Sequence, residues 1–154
     1  MTAPVDRRSL LAAAAALTAA GALSPAVALA QTASNATVMA VALRPVFGDK
    51  PIKPGKVQLK VPVVAENGSS VQVSVGMDGP EMPKRMVMVA TANPQPLATE
   101  IRFGPRAARA EVTTRLRLAR SQTIVAAAEM PDGTVWATSA DVTITSGACI
   151  ELGE

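Results

Sequence analysis

The chain has 154 residues, a formal net charge of +3 and only 2% aromatic residues, with no His, no Tyr and a single Cys. Without His there is no imidazole general base, no Ser-His-Asp or Cys-His nucleophile pair, and no His-containing metal site. One Cys excludes an intramolecular disulfide and any thiolate cluster. The length gives one domain, and the composition leaves most single-chain enzyme mechanisms without the residues they need, so the chain is expected not to be an enzyme itself and to need no cofactor.

Asp6-Arg7-Arg8-Ser9-Leu10-Leu11 opens an Ala-rich apolar run that continues to Leu23, is interrupted by Pro25, and ends at the small-x-small sequence Ala28-Leu29-Ala30. A charged segment, an apolar segment and a cleavage site follow in order, with paired arginines at the junction. That pattern predicts a twin-arginine-type signal peptide over residues 1–30, a mature domain over 31–154, and a periplasmic location. The run at 9–23 is too short and too Ala-weighted to span about 30 Å of hydrocarbon, so no membrane anchor is expected. Removing Asp6, Arg7 and Arg8 lowers the net charge by one, and no basic run is interleaved with aromatics. Nucleic acid is not an expected partner.

Residues 35–47 carry Val38, Val41, Ala42 and Val46 at helical spacing, with Asn35 as a candidate cap and Pro45 ending the helix early. Residues 48–55, rich in Pro and Gly, read as a loop. From Lys56 the period becomes two: Val57, Leu59, Val61 and Val63 alternate with polar residues or Pro62, and Val71, Val73 and Val75 repeat the pattern after Asn67-Gly68. Asn-Gly between two alternating runs predicts a hairpin, and Pro62 predicts that its first strand lies at an edge. Further strands are expected at 85–91, 97–103, 110–118, 123–130, 135–139 and 142–145, with turns at 93–96, 104–105 and 131–133. Seven or eight short strands with turns every eight to twelve residues predict an all-β antiparallel sandwich behind a short N-terminal helix.

Cys149 follows the last predicted strand, in Ser146-Gly147-Ala148-Cys149-Ile150-Glu151-Leu152-Gly153-Glu154. A free Cys is commonly a small buried hydrophobe. Its place beyond the last strand, and the odd thiol of an exported chain, favour a reactive group instead. An ordinary thiol has a pKa of about 8.5 and is only slightly ionised at neutral pH, a poor catalyst alone but a good handle for a partner that activates it. The three residues from Ser146 to Cys149 extend about 10 Å, which suggests a carrier arm formed by Gly147, Ala148 and Ile150 around the thiol, within about residues 146–154.

Lys56-Val57-Gln58-Leu59-Lys60-Val61-Pro62, Ala65-Glu66-Asn67-Gly68, Val71-Gln72-Val73-Ser74-Val75, Asn93-Pro94-Gln95-Pro96, Ala110-Glu111-Val112-Thr113-Thr114-Arg115-Leu116-Arg117-Leu118 and Val125-Ala126-Ala127-Ala128-Glu129-Met130-Pro131-Asp132-Gly133 resemble the SoxY family of the bacterial thiosulfate-oxidation system. The resemblance runs in order from about Phe47 to Cys149. It implies an immunoglobulin-like sandwich that pairs with a SoxZ-like subunit as a heterodimer or heterotetramer and carries sulfur covalently on Cys149. It also implies three enzymes that act on the cargo: a c-type cytochrome complex, a manganese hydrolase and a sulfur dehydrogenase. The family's tail is Gly-Gly-Cys-Gly-Gly. Here Gly147 and Cys149 match, whereas Ala148, Ile150 and Glu151 stand at glycine positions and residues 152–154 extend the chain. Glycines keep such an arm slim, so the tail is where this chain departs from the family.

Two other readings compete. Met77, Met82, Met86 and Met88, with Cys149, form a thioether-rich set that could bind Cu(I), although Met also fills gaps in a core short of aromatics. The chain could also be a structural interaction module with an incidental Cys. Arg115, Arg117 and Arg120 read first as a solvated sheet face and second as a means of steering an anionic adduct or partner, and Trp136 as a core or interface anchor.

Overall fold

The computed structural model describes residues 25–146, with the backbone alone from 25 to 34. The chain divides into compact units at 1–33 and 34–154, and apart from the first turns of one helix the account below concerns the second unit. Among the described residues there are one helix, α1 (Pro25–Phe47), and nine strands: β1 (Ile52–Pro54), β2 (Val57–Lys60), β3 (Val64–Asn67), β4 (Val71–Met77), β5 (Arg85–Ala90), β6 (Leu97–Ile101), β7 (Glu111–Leu116), β8 (Gln122–Glu129) and β9 (Val135–Ser146). The larger sheet has the order β1-β9-β8-β5-β6, with β3 also on β9, and the smaller one the order β2-β4-β7. No helix among the described residues is long and apolar enough to cross a membrane.

The two sheets enclose one core and the helix closes a second. Val71, Val73 and Val75 of β4 face Met86, Met88, Ile124, Ala126 and Ala128 of the larger sheet. On that sheet's other face, Met39, Leu43 and Phe47 of α1 cover Val87, Val89, Val125, Ala127, Val135 and Ala137. The middle strands β5 and β8 are thus buried on both faces, which is why they read as continuous apolar runs rather than alternating ones. The expected immunoglobulin-like β-sandwich with an N-terminal helix is the fold observed.

Several boundaries differ from the sequence reading. Asn35 lies inside α1 and does not cap it, because the helix already runs from Pro25. Pro45 sits within the last turn without ending it. It removes one backbone donor, but Leu43 and Phe47 on either side of it are buried against the sheet. The stop comes at Gly48, whose φ of 64° closes the helix with an N–H bond to the Arg44 carbonyl at 2.8 Å. Within the expected loop, Ile52–Pro54 forms a short strand parallel to β9. The two last predicted strands are one, since β9 runs unbroken for 12 residues.

The Asn67-Gly68 turn is not a two-residue hairpin. β2 and β4 do pair antiparallel, Val57 opposite Met77 and Lys60 opposite Ser74. Between them the chain crosses to the larger sheet, where β3 pairs parallel with β9. Asn67 Oδ1 accepts the Ser69 N–H at 2.8 Å, so the turn is a corner that returns the chain from one sheet to the other. β2 is an edge strand, with Pro62 just beyond its end.

Candidate functional site

Cys149, Gly147, Ala148 and Ile150 lie outside the described residues; what is described is the place from which they depart, the end of β9 at Ser146. That end is held from two sides. On one, β3 pairs Val64 with Thr143, Ala65 with Ile144 and Asn67 with Ser146. The Thr145 hydroxyl also donates to the Glu66 carbonyl at 3.1 Å. On the other, the regular β8–β9 ladder stops at Gln122 opposite Val142, and the Ser121 side chain continues it by accepting the Ile144 N–H at 2.8 Å. Gly68 ties in the small sheet: its N–H donates to the Ser146 carbonyl at 2.9 Å and its own carbonyl accepts the Leu118 N–H at 2.7 Å.

The turn that carries Ser121 is itself braced by two amides, the buried Gln122 and the half-buried Asn93. Asn93 Oδ1 accepts from the Ala119 N–H at 3.0 Å and from Gln122 Nε2 at 2.9 Å, while Asn93 Nδ2 donates to the Arg117 carbonyl at 2.7 Å. Gln122 Oε1 accepts the Ala92 N–H at 2.8 Å, and Nε2 also donates to the Arg120 carbonyl at 3.2 Å. Sequence reasoning treated Asn93 as a turn residue and passed over Gln122, although Gln122 has the parity of Ile124, Ala126 and Ala128, the core-facing positions of β8. A polar residue on a core parity is the signal that finds it. Replacing Gln122 by Leu keeps the volume and strands its partners; the expected cost is about 1–3 kcal/mol in denaturant unfolding, with faster hydrogen exchange at the Ile144 amide. Unchanged exchange there would show that the turn does not hold β9.

Arg115 and Arg117 are exposed on the outward parity of β7 and just beyond it, as a solvated sheet face requires, and Arg120 is exposed in the turn rather than on the strand. None of the three makes an ion pair with a described carboxylate. Met86 and Met88 are 0% exposed in the inter-sheet core and Met77 and Met82 pack against it, which matches the gap-filling role of these methionines. Trp136 is half-buried against the same core, with Lys53 Nζ and Lys56 Nζ at 5.5 and 5.1 Å from its ring centroid. A cavity of about 430 Å³, lined in part by Gln58, Met77, Met82 and Arg109, lies at the far end of the small sheet from Ser146.

The far end of the larger sheet holds a second buried polar group. The Glu129 carboxylate receives Lys50 Nζ at 2.6 Å and Arg85 Nε at 2.7 Å, and Arg85 also reaches Glu100 at 3.3 Å and stacks 4.9 Å from the Phe47 ring. The Lys50 hydrogen bond, then that of Arg85, holds the Glu129 carboxyl down at about 2. This network fastens the end of α1 to the sheet and lies beside the start of β9, at the opposite end of that strand from Ser146.

No curated protein matches the chain. Among solved structures it is similar to the sulfur carrier protein SoxY from Chlorobium limicola f thiosulfatophilum, with 28% identity over 73% of this chain and 98% of that one and a TM-score of 0.59. It shares its fold alone with the superoxide reductase (neelaredoxin) from Ignicoccus hospitalis, at 15% identity over 58% of this chain and 79% of that one, TM-score 0.51. The family profile of the sulfur oxidation protein SoxY matches residues 43–149, from the buried face of α1 to the lone Cys. A match of that extent, carried on a sandwich of the same fold, means that the chain belongs to the SoxY family, whose members are sulfur carriers and not enzymes.

Proposed function

We propose that the chain is a periplasmic protein that holds thiosulfate-derived sulfur covalently on Cys149 and presents it to partner enzymes. The observation that carries this reading is the built root of the arm. β9 is held by β3 up to Ser146 on one flank and by β8 and Ser121 up to Ile144 on the other, and Ser146 stands three residues before the only thiol in the chain. A fixed base and a short tether let one sulfur visit sites up to about 10 Å from the sandwich. The family match supports the same position, since it ends on Cys149.

Joining a thiol to thiosulfate through an S–S bond releases two electrons, which a c-type cytochrome partner accepts. Water then cleaves the outer S–S bond, and sulfate leaves through a manganese hydrolase. A sulfur dehydrogenase oxidises what remains. In this reading a SoxZ-like subunit completes the carrier, and the signal at residues 1–30 sends it across the membrane. The side chains of Ala148, Ile150 and Glu151 make the arm bulkier than an all-glycine one, so the partner sites it enters are correspondingly wider or differently charged.

The test is the intact mass of the protein isolated from the periplasm of cells oxidising thiosulfate. A mass gain at Cys149 that reductant removes is expected. An unmodified thiol in such cells would overturn the carrier role and favour a structural subunit.

A further inference from the structure

We propose that Arg117 and Arg120 form an anion-holding collar at the root of the arm, which takes the sulfonate end of the cargo carried on Cys149. The inference deepens the carrier reading and rests on it. Both arginines are set beside Ser146 by the backbone. Arg117 precedes Leu118, whose N–H reaches the same buried Gly68 that binds the Ser146 carbonyl. Arg120 precedes Ser121, whose hydroxyl takes the Ile144 N–H. Their own carbonyls are pinned, Arg117 by Asn93 and Arg120 by Gln122, so two exposed side chains leave from fixed backbone positions near the end of β9.

The chemistry suits the cargo. Thiosulfate attached through sulfur leaves a sulfonate with delocalised negative charge, and a guanidinium matches such a group with paired donors. Arg85 and Arg102 are engaged by Glu129 and Glu100, whereas no described carboxylate engages Arg117 or Arg120. Two carboxylates face the same end of β9: Glu66 is exposed on β3, and Asp141 accepts the Thr123 hydroxyl at 2.6 Å. Glu151 and Glu154 of the tail are the competing occupants. Three links from Ser146 allow Cys149 a reach of at most about 10 Å, comparable with the screening length of about 8 Å at physiological salt, so low salt is where the arginines act most strongly on its cargo.

Tetrathionate tests this directly on the purified full chain. The Cys149 thiolate attacks one of its sulfane sulfurs, the central S–S bond breaks, thiosulfate departs, and the adduct carries a sulfonate. The rate is compared with that of 4,4′-dithiodipyridine, an uncharged disulfide that reacts with the same thiol. At low salt, the double substitution Arg117→Gln/Arg120→Gln is expected to slow tetrathionate about three- to tenfold and leave the neutral reagent unchanged. The difference is expected to vanish near 0.5 M salt, where screening is nearly complete. Arg106→Gln/Arg109→Gln removes the same charge from two exposed positions at the other end of β7 and is expected to preserve tetrathionate's advantage. Equal slowing by both pairs would reduce the effect to net charge and overturn the collar. So would equal slowing with both reagents, or no slowing at all. An arginine effect that emerges only after Glu151→Gln/Glu154→Gln would assign the arginines to the tail instead. The cellular mass measurement judges the carrier role separately, because tetrathionate selectivity can fail while a cellular adduct persists.

Discussion

Cys149→Ala is expected to abolish thiosulfate oxidation in a strain whose only SoxY-family protein is this chain, with the measured rate falling to that of the deletion. The loss is complete rather than partial because nothing else in the chain can stand in. There is no second Cys and no His, and a neighbouring Ser hydroxyl ionises too rarely at neutral pH to form the bond. Cys149→Ser, which keeps the shape, is expected to be equally inactive. Because the substitution lies beyond the last described strand, the unfolding midpoint of the purified variant is expected to stay where it was. Residual oxidation above the deletion level would show that sulfur travels by a route that does not use this thiol.

The second large effect concerns stability and acid. Glu129 is 5% exposed and its carboxyl is held at about 2, below the ordinary 4.5, by the hydrogen bond from Lys50 first and from Arg85 second. A carboxyl more acidic in the folded state than in the unfolded one binds fewer protons when folded. Its contribution is therefore complete above about pH 4.5 and disappears as the pH falls towards 2. Because Lys50 is 44% exposed, screening reduces the effect, and about 2 kcal/mol is expected to be lost across that interval. Glu129→Gln removes the charge at every pH. It is expected to cost about 2–4 kcal/mol at neutral pH, since Arg85 is left facing a neutral amide, and to flatten the acid limb of the stability profile. Denaturant unfolding of both proteins between pH 2 and 7 measures this, and parallel profiles would show that another carboxylate controls the acid limb.

The strands were legible because most of them carry apolar side chains on one parity only. Val57 and Leu59, Val71 to Val75 and Val112 to Leu116 declare their inward faces by alternation alone. The continuous run of β8 is also readable, as a strand covered on both sides. What covers it was harder to see: the helix face that matters is Met39, Leu43 and Phe47, whereas Val41, counted as part of an apolar stripe, is 69% exposed. The corner at Asn67-Gly68 was misread because its composition suits a hairpin, while the partner of β3 lies some eighty residues away and leaves no local trace. Asn93 and Gln122 were obscured for a related reason. Polar residues near turns are ordinary, and only the three-dimensional meeting of two distant turns makes them the brace of the arm's root. Cys149 is proposed from the sequence alone, as the single thiol of a chain without His, and lies outside the described residues.

β9 is also a mechanical element. In the proposed carrier role, a pull on the tail reaches the described sandwich at Ser146 and is borne by β9 along the direction of the strand. The hydrogen bonds to β8 on one flank and to β3 on the other run across that direction. Tension is therefore shared by many bonds in shear rather than breaking them one after another as a peeling load would. Parallel bonding of β1 near the start of the strand adds a third anchorage. A strand held in this way bears repeated pulls on its C-terminal end without unravelling the sandwich.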